Sequence, residues 1–98
     1  MRMHVLNPVA PKQKLTKISP LAPRLANLEG KFIGLYWNHK PGGDAALRRA
    51  GELLKAQYAG LETKRYVGSI GGAMRSVTKG DVERIAQECA AVIGSTAD

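Results

Sequence analysis

The apolar run Phe32–Trp37 (FIGLYW), bounded by Lys31 and Asn38 and broken only by Gly34, constrains this chain more than any other stretch. A strand without a polar face must be covered on both sides, which suits the centre of a parallel sheet. The residues directly after it are equally directive. Pro41, Gly42 and Gly43 make a loop, and Asp44 opens a helical pattern that runs to about Tyr58. A strand, a Gly-rich loop and a helix form the first half of a βαβ unit. In open α/β sheets ligands sit outside the carboxyl ends of the strands, so chemistry is expected at the loop Asn38–Gly43. The segment Lys31–Ala59 is thus the unit around which the rest is organised.

The helical segment carries Leu47, Ala50, Gly51, Leu54 and Tyr58 on one face and Arg48, Arg49, Glu52 and Lys55 on the other. That division is the signature of a helix packed on a sheet. Asp44 is read as the N-cap and Gly60 as the stop. Gly34 in the strand marks a close backbone approach. Leu61–Val67 alternates with charged residues and is read as a strand nearer the sheet edge. Gly68–Val77 is read as a flexible loop. Thr78 and Asp81 resemble a capping box, with Asp in place of the usual Glu or Gln. The helix after it places Val82, Ile85, Ala86, Cys89 and Ala90 on one face, and Ala91–Gly94 is read as a third strand. The expected fold is α/β: a three-stranded parallel sheet in βαβαβ order, half of a flavodoxin-like or Rossmann-like layer.

Residues 1–28 differ from the rest. They hold Pro8, Pro11, Pro20 and Pro23, and five basic groups (Arg2, Lys12, Lys14, Lys17, Arg24) with no acid. Proline removes a backbone donor and biases its predecessor to extended geometry, so an extended arm is expected. Its scattered aliphatics (Val5, Leu6, Val9, Leu15, Ile18, Leu21, Leu25 and Leu28) argue for an arm strapped onto its own domain or a second chain. Residues 29–98 form the α/β domain, with ten basic and eight acidic groups. The net charge of +7 therefore belongs mainly to the arm. Such an arm suits nucleic acid or an acidic protein surface, or is a solvated tail.

Several classes of chemistry find little support. Neither glycine cluster matches a dinucleotide or P-loop fingerprint, and a capping Asp44 would oppose an anion at the helix N-terminus. The single cysteine, Cys89, permits no internal disulfide and shares the phase of core residues. His4 and His39 lack metal-ligand spacing. His39 has the reference pKa of a general base but no nucleophile near it in sequence. Lys40 is either exposed or a holder of a carboxylate. No apolar run reaches the roughly 18 residues of a membrane span, and no signal-peptide core is present, so a cytoplasmic protein is expected.

Leu6-Asn7-Pro8, Leu21-Ala22-Pro23-Arg24-Leu25, Leu28-Glu29-Gly30-Lys31, Asn38-x-Lys40-Pro41 and the closing Ala91-Val92-Ile93-Gly94-Ser95-Thr96-Ala97-Asp98 occur in an order that resembles the N-terminal half of the UGSC-type (seleno)proteins. In that family such a last strand runs into a motif Cys-or-selenocysteine, Gly, Ser, Cys, Thr. A similar motif occurs in the selenoprotein B subunit of glycine reductase. The resemblance implies a thiol or selenol redox protein, with Asn38, His39, Lys40, Ser95, Thr96 and Asp98 at its active edge. Lys40 would stabilise the anionic nucleophile or an acidic substrate, and Ser95, Thr96 and Asp98 would shape the entrance.

Asp98 stands where the family's reactive residue would come next. Three accounts are open: a selenocysteine codon directly after Asp98 read as a stop, a split protein with its catalytic half on another chain, or a short paralogue. No catalytic nucleophile, cofactor or metal ligand is expected within these residues, and the chain alone is expected to be inactive. The expected partner is the missing C-terminal half or a second protein chain. A different class, a small basic binding protein for RNA or a protein complex without catalysis, is the alternative. Three strands are few for a sheet covered on both faces, which again points to missing sequence or a partner.

Overall fold

A computed structural model describes residues 3–6, 8 and 19–96. Its elements run β1 (Phe32–Trp37), α1 (Gly43–Gln57), β2 (Glu62–Val67), β3 (Ile70–Gly71), β4 (Arg75–Ser76), α2 (Lys79–Glu88) and β5 (Ala91–Ser95). β2, β1 and β5 form a parallel sheet in that order, with the apolar run at its centre. β2 is an edge strand, as its alternating charges foretell.

Alternation along β1 sorts the two faces. Ile33 and Leu35 are buried with Leu47 of α1 and with Leu61, while Leu54, Tyr58, Trp37 and Ala91 pack around them. Gly34 looks the other way, towards Tyr66 and Cys89. The close approach at Gly34 is therefore made by side chains, Cys89 Sγ and the Tyr66 ring, and not by another backbone. α1 thus covers one face and α2 the other, the doubly wound arrangement expected from the sequence.

Three local expectations are corrected. Asp44 is not the N-cap of α1. Gly42 caps it with φ +100°, and no side chain makes a capping bond; Asp44 lies in the first turn, where its Oδ1 accepts from Gly42 N–H at 3.3 Å. The tight Pro41–Gly42 turn needs a left-handed residue before the helix, which glycine supplies and aspartate would resist.

The segment Gly68–Val77 is not a plain loop. It holds the two-residue strands β3 and β4, paired antiparallel. Arg75 clips the hairpin with its guanidinium, donating to the carbonyls of Gly68 (2.9 Å), Gly71 (2.7 Å) and Ser69 (3.3 Å).

The apolar face of α2 is only partly covered. Ile85 is buried and Cys89 half-buried, but Val82 is 51% exposed, because no described element lies over it on the β5 side. The capping box is present: Thr78 Oγ1 accepts from Asp81 N–H at 3.1 Å and Asp81 Oδ2 accepts from Thr78 N–H at 2.9 Å.

Of the arm, Leu28 packs against the core; just beyond the arm, Gly30 N–H donates to Ala59 O at 2.9 Å. Leu21 and Leu25 are exposed. The arm positions 9–18 lie outside the described residues. No described helix is long and apolar enough to cross a membrane.

Candidate functional site

The chain leaves β1, builds β2 on one side, and returns with β5 on the other. Reversal of this kind creates a crevice outside the carboxyl ends of the two strands at the switch, here β1 and β5. The residues leaving β1 are Asn38, His39 and Lys40; those leaving β5 are Ser95 and Thr96. Trp37 and Ser95 are register partners on adjacent strands, so the two exits are neighbours.

The first exit is held rigidly. Asn38 is buried; its Oδ1 accepts from Lys40 N–H at 3.2 Å and its carbonyl accepts from Arg75 N–H at 2.8 Å. Nδ2 donates to no described residue, so the side chain keeps a donor to offer at this edge. Lys40 is half-buried, and its carbonyl accepts from Trp37 Nε1 at 2.6 Å. His39 between them has φ +74°, the left-handed region that His enters more readily than bulkier residues. Its exposed ring leans on Trp37 with centroids 4.9 Å apart.

The second exit meets the start of α1. Gly43 is buried against Trp37 and Ser95, and a Cβ there would stand 3.0 Å from the indole and 3.2 Å from Ser95 Oγ. Glycine at that position lets the helix N-terminus approach the switch. Thr96 follows at the surface. Asp98 lies outside the described residues.

The structure thus brings Asn38, His39, Lys40 and Ser95 to one edge, with Thr96 beside them. Sequence reasoning missed three contributors. Trp37 is the slab on which His39 and Lys40 are arranged, and its place as last residue of a strand was a readable signal. Arg65 lies over the same indole at 5.6 Å, adding a cation. The hairpin roofs the edge: Arg75 donates to Asn38, and Tyr36 OH donates to Arg75 O at 3.2 Å. No sequence pattern announces that contact.

Cys89 is elsewhere, on the α2 face. Its thiol donates to Tyr66 OH at 3.3 Å, and Tyr66 donates in turn to Glu88, which Lys64 meets at 3.3 Å. Burial, followed by the bond from Cys89, pushes the Tyr66 hydroxyl far above its ordinary value of 10.0. The bond from Tyr66, then that from Lys64, holds Glu88 below the usual carboxylate range. These groups form a structural relay under the sheet, remote from the switch. Among the described residues no three His, Cys, Asp or Glu side chains gather to hold a metal.

The model of the UGSC family matches residues 4–98 of this chain. No curated protein and no solved structure matches it.

Proposed function

The chain belongs to the UGSC family, and from that premise we propose that it supplies the N-terminal α/β half of a thiol or selenol redox centre. The reactive cysteine or selenocysteine stands outside these residues and is delivered to the switch between β1 and β5, by the continuation of β5 or by a partner chain. One observation supports this above others: β5 runs parallel beside β1 and carries Ser95 and Thr96 to the edge occupied by Asn38, His39 and Lys40.

A thiolate or selenolate needs cations and donors around an open position. Lys40 provides charge there, Asn38 Nδ2 a donor, and the N-terminus of α1 its positive end. The nucleophile attacks one sulfur of a disulfide; the old S–S bond breaks, and the second sulfur leaves as a thiolate. Ser95 and Thr96 border the entrance. The protein works in the cytoplasm, where thiols stay reduced.

The test begins with the DNA directly downstream. A UGA or cysteine codon in frame, followed by codons for Gly-Ser-Cys-Thr, supports the reading; so does a co-purifying chain with that motif. Absence of both overturns it. Activity gives an independent check. Supplied with a dithiol as reductant, the product carrying the motif should turn over a disulfide substrate, and the 98-residue chain should not. Turnover by the short chain that survives Cys89→Ser would contradict the assignment.

A further inference from the structure

Acids and cations in the folded part nearly balance in number, yet the structure does not balance them in space. On the α2 side the cations are matched: Lys64 meets Glu88 at 3.3 Å, Lys79 meets Glu83 at 4.0 Å and Arg84 meets Asp81 at 3.7 Å. Arg75 is consumed by three carbonyls. On the α1 side Arg49 meets Glu52 at 3.2 Å, and there the matching stops.

Arg48, Lys55 and Arg65 have no carboxylate partner among the described residues, and all three are exposed. They line one groove of about 350 Å³ along the seam between α1 and β2, with Thr63 in its wall and Gly51 in its floor. The only acid in the groove is Glu52, already paired with Arg49. Arg65 also lies over Trp37, whose indole meets the exposed ring of His39 at the sheet edge.

We infer that this seam is a binding groove for phosphoryl groups. Arg48 and Lys55 are seven positions apart on α1, about 10 Å along the helix axis, too far for one small carboxylate to touch both. A ligand that satisfies the groove carries anionic groups in series, as a nucleoside polyphosphate or a single-stranded nucleic acid does. Arginine forks match phosphate oxygens, and an exposed aromatic ring near a cationic groove can stack an unpaired base. The inference stands apart from the redox reading, because Arg48 and Lys55 take no part in it and Arg65 only flanks its indole.

The probes are ATP and a uridine hexanucleotide, titrated into the full chain at several salt concentrations, with hexaglutamate as a third ligand. Response to ATP alone identifies a nucleotide site, and response to the hexanucleotide identifies a strand site. Arg48→Gln, Lys55→Gln and Arg65→Gln should each weaken the responding phosphate probe roughly two- to fivefold. For the hexanucleotide each should also lower the log–log salt slope by about 0.7. Lys79→Gln, on the α2 side, should change neither.

The assignment is overturned if hexaglutamate binds as tightly as the phosphate probes, or if neither probe binds. It is equally overturned if the groove variants leave binding unchanged while Lys12→Gln, Lys14→Gln and Lys17→Gln in the arm abolish it.

Discussion

Gly34 sits where the side chains of Tyr66 and Cys89 crowd the face of the sheet turned towards α2. A Cβ at this position would stand 2.9 Å from Cys89 Sγ and 3.2 Å from the Tyr66 ring. Both neighbours are tied, Cys89 to Tyr66 and Tyr66 to Glu88, so neither can swing away freely. Gly34→Ala should therefore lower stability by ~1–3 kcal/mol, read from the urea midpoint. The double variant Gly34→Ala with Cys89→Ala should recover much of that loss, because the smaller side chain vacates the space. Equal loss in both proteins would refute the contact.

Asp81 gives a pH signature at the same scale. Ser69 Oγ, then the N–H groups of Thr78 and Ser69, hold its carboxyl well below the ordinary 3.8. A depressed carboxylate contributes stability that is present above the unfolded value and is lost as the pH falls below it. Urea midpoints should therefore begin to decline at about pH 5 and go on declining below about pH 3, towards the folded-state value. Asp81→Asn should start lower at neutral pH and decline less steeply; Glu88, also depressed, keeps its own share of the slope.

The elements themselves divide by how much hydrophobic pattern they carry. β1 was legible because six residues without a charge leave no polar face, and α1 because Leu47, Gly51, Leu54 and Tyr58 repeat at helical spacing. The capping box of α2 was legible from Thr78 and Asp81 alone. The β3–β4 hairpin was not. Each strand is two residues long, too short for any alternation to register, and it is held by carbonyl bonds from one side chain. Two of its glycines are required by close backbone approach: a Cβ on Gly68 would overlap Ser76 O, and one on Gly71 would overlap Met74 O. In sequence they suggested only flexibility.

At the candidate site the loop residues were readable from the strand–loop–helix pattern, but the roof over them depends on a contact between positions 38 and 75. Arg75→Ala removes the clip and should accelerate exchange of the residue 75 amide, bonded to Asn38 O, roughly tenfold. Amides in the centre of β1 should keep their protection. Unchanged exchange at residue 75 would mean that the hairpin holds itself.

For the whole molecule the decisive feature is the open side of the sheet. β1 is enclosed between two neighbours, but β5 is an edge with Val92 47% and Ile93 36% exposed, beside a groove lined by Tyr36, Val82, Ile85 and Val92. Parallel sheets are stable when both faces and their central strands are covered, and an uncovered apolar edge offers unpaired N–H and C=O groups to other chains. The same shortage was inferable from an apolar strand with only two others to flank it. The side on which the cover is missing was not inferable, because it depends on β5 returning next to β1 and not next to β2. The 98-residue chain studied alone should therefore associate as its concentration rises, by light scattering coupled to size exclusion. Val92→Lys places a charge on the open edge without touching the α1 core, and it should shift the population towards monomer while leaving the far-ultraviolet circular dichroism unchanged. A wild-type chain that stays monomeric across the whole concentration range would show that this edge is tolerated as it stands, and that nothing further has to cover it.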